Sequence, residues 1–263
     1  MTSLAEIPGE ARSHRYIYKL MFSTDRCSCC EGKLLFRKSY TWCRACRTKT
    51  SAKAVSWLRG SNLSHRKILQ LIWCWQAKKS PGFAKDALHL SYPTIARWYG
   101  RLRAHLPPDT PDKLSGLVEI DESFFGKKKY GGQTIVVGAI EPTTRRIKLQ
   151  IIDNRDQDTL EEFSELNIAK NTQVMTDLHG GYADLHSLGY EHLRFNHSKG
   201  EYTHTNQIEN LWGVIKRYMR KLYGCIPTKH LQSILDEWTA RQNRPSLFCS
   251  PQDYLDACLF RIS

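Results

Sequence analysis

Three acidic residues stand at positions from which they could hold metal ions. Asp121 follows the apolar run 117–120 and Asp177 follows the run 173–176, so each is predicted at the end of a buried strand. Glu209 lies in a segment with a helical pattern. Carboxylate oxygens are the ligands that Mg²⁺ and Mn²⁺ prefer. We therefore predict that these three residues bind two Mg²⁺ (or Mn²⁺) ions and catalyse phosphoryl transfer.

Other polar residues near these three compete for the same role. Glu119 and Glu122 flank the first carboxylate, and we expect strand alternation to point both to the opposite face from it. His179 and His204 lie near the predicted site, where a local polar role or a place on the surface is expected. A rival set of carboxylates lies in an acidic loop: Asp153, Asp156 and Asp158.

The segment that carries Glu209 has a continuous apolar stripe at helical spacing, made of Ile208, Leu211, Trp212, Ile215, Met219 and Leu222. Glu209, Lys216 and Arg220 follow one border of this stripe. On that border an acid can reach a metal at the sheet edge while cations meet a phosphate backbone. An ordinary solvated helix face is the alternative. We predict a catalytic role for Lys216 and DNA contacts from Lys216, Arg217 and Arg220.

Two Cys-x-x-Cys pairs are separated by twelve residues: Cys27/Cys30 and Cys43/Cys46. Four thiolates complete a tetrahedron and leave no open position, so the spacing predicts a structural Zn²⁺. The segment 33–42 between the pairs is strand-like, which is typical of a zinc ribbon. Cys29 is a spare thiol that could shift the register, and unliganded thiols are the alternative. Basic residues beside the ribbon are predicted to contact phosphates: Arg44, Arg47 and Lys49.

Residues 51–106 have the pattern of a helical DNA-binding domain. Ser64 is predicted to cap a first helix, residues 83–88 form a short second helix, and Ser91 with Pro93 begins a third. A short helix, a tight turn and a basic helix are typical of a helix-turn-helix, with a plain three-helix connector as the alternative. The third helix carries two predicted DNA contacts, Arg97 and Arg101.

Charge is distributed unevenly along the 263 residues. Residues 1–110 hold 20 Lys and Arg against 6 Asp and Glu, a net +14, whereas residues 111–263 hold 19 against 20, a net −1. The basic half is expected to bind a polyanion, most simply double-stranded DNA, and a merely soluble basic domain is the alternative. The sequence has no apolar run of membrane-spanning length and no secretory signal pattern, so we expect neither a membrane partner nor secretion.

A proline-rich linker at 107–115 marks the predicted domain boundary. Before it we place an N-terminal segment, the zinc ribbon and the helix-turn-helix domain: 1–24, 25–50 and 51–106. After it, residues 116–263 are predicted to form an α+β or α/β domain with a mixed five-stranded sheet. Strands are predicted around Asp121 and at 134–140, 146–152, 173–176 and 192–196, with a helix at 156–166. This order of elements is that of an RNase H-like fold.

Three blocks of this sequence resemble the Merlin-type transposases and their bacterial insertion-sequence relatives with an ISXO2-like transposase domain. The first block is 118–123 with Gly126, the second is Thr176-Asp177 with Gly181-Tyr182, and the third is 197–200, 204–212 and 216–217. The resemblance covers about residues 25–245. It implies a DDE-type catalytic domain in which Asp121, Asp177 and Glu209 are the acids and Lys216 is the lysine seven residues later. Some relatives carry Asn as the third residue, so Asn210 remains an alternative.

The resemblance also implies an activity and its partners. The expected protein is a DNA transposase that binds terminal inverted repeats, cleaves DNA at the element ends and joins them to target DNA. It would act as a homodimer or higher oligomer in a synaptic complex. A nuclease or resolvase of the same fold and a non-catalytic zinc DNA-binding regulator are the alternatives. The short segment 197–204 resembles the bacterial members, for which cytoplasm or nucleoid is expected; a eukaryotic member would act in the nucleus.

Overall fold

A computed structural model gives the architecture of the chain. It describes residues 3–54, 56–126, 132–195, 206–224 and 228–259. The chain divides into two units, one of Met1–Pro107 with Pro245–Ser263 and the other of Pro108–Arg244. The sequence placed everything after residue 115 in one catalytic domain, whereas the structure groups the segment from Pro245 onward with the N-terminal unit.

The helices and strands follow in this order: α1 (Glu10–Phe22), β1 (Leu34–Phe36), β2 (Thr41–Cys43), β3 (Lys49–Thr50), α2 (His65–Gln76), α3 (Pro81–Leu88), α4 (Tyr92–Ala104), β4 (Leu117–Phe125), β5 (Thr134–Ile140), β6 (Ile147–Ile152), α5 (Gln157–Asn167), β7 (Gln173–Thr176), β8 (Glu191–Arg194), α6 (Asn206–Tyr223), α7 (Thr228–Asn243) and α8 (Pro251–Cys258). No helix among the described residues is long and apolar enough to cross a membrane.

Serine side chains cap the N-termini of α2, α3 and α4. Ser64, Ser80 and Ser91 each accept a hydrogen bond from a backbone N–H in the first turn of α2, α3 and α4. The caps at Ser64 and Ser91 were predicted, and α3 begins two residues earlier than expected because Pro81 takes its first position. His89 adopts a left-handed conformation (φ 51°) that ends α3, so only three residues separate α3 from α4.

Contacts between distant residues explain why the last segment joins the N-terminal unit. The rings of Trp75 in α2 and Tyr254 in α8 lie 5.4 Å apart, and the Tyr254 hydroxyl donates to the Leu102 carbonyl at 2.8 Å. The Gln76 side chain donates to the carbonyls of Leu247 and Ser250, both at 2.7 Å. These partners are more than 150 positions apart, so local sequence patterns do not indicate them.

The second unit is built on a mixed five-stranded sheet, as predicted. Its strand order is β6-β5-β4-β7-β8. β4 pairs antiparallel with β5 and parallel with β7, and β7 pairs parallel with β8. Numbered within the unit, the order is three-two-one-four-five with an antiparallel second strand, which resembles an RNase H-like core.

Helices cover both faces of this sheet, so β4 at its centre is buried on both sides. Val118 and Ile120 share a core with Leu160 and Phe163 of α5. Phe125 points to the other face and packs with residues of α6 and α7. Because successive side chains alternate between faces, the odd-numbered residues of β4 face α6 and the even-numbered ones face α5.

α7 runs along the edge strand β6 and bonds its backbone. The Asn243 side chain accepts a hydrogen bond from the Ile147 N–H and donates one to the Ile147 carbonyl, both at 2.9 Å. About three turns earlier on α7, the Gln232 side chain accepts a hydrogen bond from the Ile151 N–H at 3.0 Å. Two side chains of a helix thus replace hydrogen bonds that a sixth strand would otherwise supply.

Candidate active site

Asp121 and Asp177 follow the parallel pairing of β4 with β7. The register matches Leu117 with Gln173 and Glu119 with Met175, an offset of 56 positions that also separates the two aspartates, which lie two positions beyond the last pair. Burial raises the pKa of Asp121 to about 6, and the negative charges of Glu122 and Asp177 add to the rise. The structure therefore brings these two predicted ligands together at the edge of the sheet.

Glu119 faces α6, on the same side of β4 as Asp121. The expectation that it points away is wrong, because residues two apart in a strand share a face. Its Oε2 accepts hydrogen bonds from the N–H groups of Gln207 (3.0 Å) and Ile208 (2.9 Å) in the first turn of α6. Glu119 thus caps α6 and fixes the start of that helix on β4.

Trp212 of α6 is a site residue that the sequence suggested only as part of a packing stripe. Its indole Nε1 donates to Asp121 Oδ2 at 3.0 Å. The ring lies over Gly138, which pairs with Asp121 on β5. A Cβ at Gly138 would lie 2.6 Å from Trp212 Cη2, so only glycine admits the indole there.

Lys216 lies one turn beyond Trp212 on the same side of α6. Its ammonium is 5.3 Å from the centroid of the Phe125 ring. Partial burial lowers the pKa of Lys216, and the charge of Asp121 opposes this effect by favouring the ammonium form. The predicted cation and the predicted metal ligand therefore lie within electrostatic reach of each other.

Glu209 occupies the first turn of α6 and is exposed, as is the neighbouring Asn210. It lies one turn before Trp212, and its charge adds to the rise that burial causes in the pKa of Glu119. In the described part of the chain, a single group of three or more His, Cys, Asp or Glu side chains has ligand atoms all within 4.8 Å, and that group consists of four cysteines. Glu209 therefore lies on α6, the helix that carries Trp212 and Lys216, but its ligand atoms do not form such a group with those of Asp121 and Asp177.

The residues before α6 carried part of the sequence resemblance. The block 197–200, His204 and Thr205 lie outside the described residues. Their role stays a prediction.

Glu122 lies on the α5 face, and its side chain is 2% exposed. The Tyr182 hydroxyl donates a hydrogen bond to its Oε1, and Arg155 Nη1 lies 3.7 Å from its Oε2. Burial raises the pKa of Glu122, against the effect of these two partners. The sequence placed Glu122 on this face correctly but did not indicate its partners, because they come from a different part of the chain.

One of the rival acids at 153–158 has a structural role. Asp156 caps α5 by accepting the Thr159 N–H at 3.1 Å, and Asp153 and Asp158 are exposed. His179 has a local polar role. Its backbone N–H donates to Asp177 Oδ1 at 2.8 Å, and its ring Nδ1 accepts a hydrogen bond from the Gly181 backbone N–H at 3.2 Å.

The group of four is made of Cys27, Cys30, Cys43 and Cys46, which the two sequence pairs predicted. The sulfurs of Cys27 and Cys46, and those of Cys30 and Cys43, lie 3.5 Å apart. A tetrahedral Zn²⁺ with Zn–S bonds of about 2.3 Å requires sulfur separations of about 3.8 Å, so the arrangement fits zinc. Cys29 is exposed and is not in the group.

Most of the predicted DNA contacts present their charge to solvent. The exposed residues are Arg44, Arg47, Lys49, Arg97, Arg217 and Arg220. Arg101 differs, because its guanidinium donates to the Trp57 carbonyl and lies 5.0 Å from the Trp98 ring centroid. Burial lowers the pKa of Arg101, and its side chain connects α4 to the segment that carries Trp57.

The second unit of the chain is similar to a known transposase domain. The family model described as an ISXO2-like transposase domain matches residues 113–243, which include both aspartates, Glu209 and Lys216. Residues 113–243 belong to the ISXO2-like transposase domain family. Such a transposase domain is of the DNA-cutting and DNA-joining type. No curated protein sequence matches the chain significantly.

Solved structures similar to the chain include retroviral integrases. The HTLV-2 integrase catalytic core domain in complex with magnesium (trimeric form) aligns over 50% of this chain and 87% of its own, at 13% identity and TM-score 0.34. The simian T-cell lymphotropic virus intasome in complex with PP2A regulatory subunit B56 gamma aligns over 70% and 75%, at 13% identity and TM-score 0.37. The BIV integrase catalytic core domain aligns over 49% and 84%, at 14% identity and TM-score 0.35. TM-scores this low do not establish a shared fold, so the fold of the transposase domain is defined by its strand order.

Proposed function

We propose that this chain is a DNA transposase that cleaves at the terminal inverted repeats of its element and joins the ends to target DNA. The observation that carries the proposal is that Asp121 and Asp177 follow the last pair of two adjacent parallel strands and lie close enough to interact, with Lys216 of α6 near Asp121. The family match over residues 113–243 supports the same reaction class.

The donor set fits divalent cations of the Mg²⁺ type. The negative charge of Asp177 raises the pKa of Asp121; a cation would relieve this repulsion, and hard cations prefer carboxylate oxygens. Asp121 and Asp177 would hold one ion, and Asp121 with Glu209 the other. When bound, two such ions stabilise the attacking and leaving oxygens of an in-line displacement at phosphorus.

Side chains of α6 prepare this site for a phosphodiester. Trp212 occupies Asp121 Oδ2, which leaves Oδ1 as a ligand and fixes the orientation of the carboxylate. Lys216 supplies a compact positive charge for a phosphate oxygen. In cleavage a water oxygen bonds to phosphorus as the bond to the 3′ oxygen breaks. In joining, that 3′-hydroxyl oxygen bonds to a target phosphorus in place of water, as the bond from that phosphorus to the target strand's 3′ oxygen breaks.

The N-terminal unit supplies DNA binding in this proposal. The four cysteines hold a structural Zn²⁺, and Arg44, Arg47 and Lys49 beside them contact phosphates. In the helix-turn-helix reading, α4 enters the major groove and presents Arg97. Members of the transposase and integrase class assemble on DNA, and we expect this chain to act as a homodimer or higher oligomer on two element ends.

The experiment is a cleavage and joining assay of the full chain with its element ends, with and without Mg²⁺. Asp121→Asn, Asp177→Asn and Glu209→Gln should each abolish both reactions while DNA binding persists. Asp153→Asn and Asp158→Asn, which change exposed acids of the rival loop, are the matched controls. Full activity of Glu209→Gln would remove Glu209 from the site and make Asn210 the next residue to test. Products that are cut but never joined would favour the nuclease or resolvase alternative.

A further inference from the structure

The β4–β7 ladder ends before it reaches the two aspartates. The last paired residues are Glu119 and Met175, and Asp121 and Asp177 lie two positions beyond them. β7 itself ends at Thr176. Backbone hydrogen bonds of this ladder therefore do not fix the distance between the two carboxylates.

The loop after β7 folds back toward β4 through a series of hydrogen bonds. Asp177 Oδ1 accepts the His179 N–H at 2.8 Å, and the His179 carbonyl accepts the Tyr182 N–H at 3.2 Å. The Tyr182 hydroxyl then donates to Glu122 Oε1. Glu122 is the chain neighbour of Asp121, so this series leads from one aspartate to the other outside the strand ladder.

Close packing around the loop allows Tyr182 to make this contact. A Cβ at Gly181 would lie 2.7 Å from Leu160 Cδ1 and 2.8 Å from the Arg155 carbonyl, so the loop passes against the start of α5 only because residue 181 is glycine. Tyr182 is 1% exposed and the Glu122 side chain 2%. A hydrogen bond from a hydroxyl to a buried carboxylate is short and strong, which suits a rigid connection.

We propose that Tyr182 and Glu122 are positioning residues, whose hydrogen bond holds the loop of Asp177 against β4 and sets the separation of Asp177 from Asp121 for cation binding. This inference rests on the proposed function, because it assigns the two aspartates to the metal site. Tyr182 acts through Asp177 and Glu122 acts through Asp121.

The test measures Mn²⁺ binding to the zinc-loaded full chain by titration calorimetry, with Mn²⁺ standing for Mg²⁺. Tyr182→Phe removes the donor but keeps the ring, and it should weaken Mn²⁺ binding by about tenfold, as loss of a contact outside the ligand set does. Glu122→Gln retains an acceptor for the Tyr182 hydroxyl, so its Mn²⁺ affinity should stay within about threefold of that of the unchanged chain. The matched control is Tyr190→Phe, since Tyr190 is equally buried and donates to the Ile168 carbonyl, away from the acids.

The same variants should separate metal affinity from chemistry in the cleavage assay. Tyr182→Phe is expected to raise the Mg²⁺ concentration for half-maximal cleavage about tenfold, with most of the rate recovered at saturating Mg²⁺. Melting temperatures of Tyr182→Phe and Tyr190→Phe should agree within a few degrees, so a general loss of stability would not account for the difference.

The possible outcomes separate this inference from the proposed function. If the unchanged chain binds no Mn²⁺ and does not cleave, the proposed function fails. If it binds and cleaves, but Tyr182→Phe matches Tyr190→Phe in Mn²⁺ affinity, the positioning role is wrong. If Glu122→Gln abolishes binding while Tyr182→Phe retains it, Glu122 is itself a ligand and the positioning role is again overturned.

Discussion

The indole of Trp212 donates a hydrogen bond to Asp121 across 91 positions of sequence, at 3.0 Å. Asp121 also faces Gly138, whose missing side chain leaves the space that the indole fills. One residue of β5 and one of α6 therefore orient the carboxylate of β4. Trp212 therefore has two roles: its ring packs in the core, and its N–H bonds the predicted metal ligand.

Trp212→Phe should lower cleavage more than it lowers stability. The variant keeps an aromatic ring in the core but loses the donor to Asp121, so we expect about a tenfold loss of cleavage, as for partners that orient a metal ligand. Cleavage rate and denaturant unfolding are measured on the same preparation. Trp238→Phe is the control, since Trp238 lies in the same core. Equal losses of activity in both variants would reduce Trp212 to a packing residue.

Gly138→Ala tests the same contact from β5. The added Cβ would lie within 2.7 Å of two indole carbons, so the ring must move and Asp121 loses its donor. Overpacking of this kind costs about 1–3 kcal/mol in the free energy of unfolding. A stable Gly138→Ala protein with full activity would contradict the geometry described for this site.

Lys216→Ala should fold normally and lose cleavage or joining. Apolar neighbours on α6 already secure the helix, whereas a lost charge-assisted contact to phosphate costs about 1–3 kcal/mol of transition-state or positioning energy. Lys216→Arg should recover part of the activity, because a planar fork differs from a point charge. The exposed Lys221→Ala is the matched control on the same helix. Wild-type joining by a stable Lys216→Ala protein would disprove the role.

Arg97 and Arg101 offer a matched pair on α4. Arg97→Ala should weaken binding to element ends and reduce its salt dependence without changing the melting temperature, because the side chain is exposed. Arg101→Ala should lower the melting temperature, since it removes the bond to the Trp57 carbonyl and the contact with Trp98. Binding titrations at several salt concentrations and a thermal melt distinguish the two. Identical behaviour of both variants would refute this division of roles.

The zinc prediction concerns how many Zn²⁺ ions the chain binds and whether Cys30 or Cys29 is a ligand. Protein purified without added zinc should contain one Zn²⁺ per chain, and Cys29→Ser should leave that value unchanged because Cys29 is outside the group of four. Cys30→Ser should lose the metal and destabilise the ribbon, since binding free energy at such sites is folding free energy. Metal analysis by mass spectrometry decides. Retained zinc in Cys30→Ser with loss in Cys29→Ser would show the other register.

Two buried histidines make the N-terminal unit sensitive to acid. The rings of His14 and His65 stack with centroids 3.9 Å apart. His14 Nδ1 bonds the Arg37 carbonyl and His65 Nδ1 bonds Glu10. Burial, followed by the neighbouring His65, lowers the pKa of His14 from 6.5 to about 4, while Glu10 opposes and Lys53 adds to the shift. Burial also lowers the pKa of His65.

The pKa of His14 is lower in the folded chain than in the unfolded chain. The free energy of unfolding is therefore highest above the unfolded pKa and falls as the pH drops below it. Between pH 6.5 and about 4 the unfolded chain takes up a proton that folded His14 does not, so the free energy of unfolding should fall, by at most about 3 kcal/mol from this residue. His14→Gln should show a shallower fall over that range, measured by denaturant unfolding at several pH values. His230→Gln changes an exposed histidine and should follow the unchanged chain. Parallel pH profiles of His14→Gln and the unchanged chain would contradict the prediction.

Features that depend on neighbouring residues were predictable from the sequence. The caps at Ser64 and Ser91, the strand at Gln173–Thr176 and the grouping of four cysteines all follow from patterns within a few positions. The mixed sheet followed from the order of its elements. These inferences succeed because propensity, capping and ligand spacing act locally.

Features that depend on tertiary contacts were not predictable in this way. The partner of Trp212, the Tyr182 bond to Glu122 and the return of the chain from Pro245 all join distant positions. The orientation of Glu119 could have been predicted, because residues two apart in a strand share a face. The prediction applied this periodicity wrongly and placed Glu119 opposite Asp121. Its use as the cap of α6 still required knowledge of which helix packs on β4.

The side chains that α7 places on β6 also limit how copies of this protein can meet. Asn243 and Gln232 already use the outward N–H groups of Ile147 and Ile151. A strand from another molecule would have to break these bonds before it could extend the sheet at that edge. Accidental edge-to-edge aggregation through β6 is thereby disfavoured, and copies of the protein are not expected to assemble by extending the sheet at that edge.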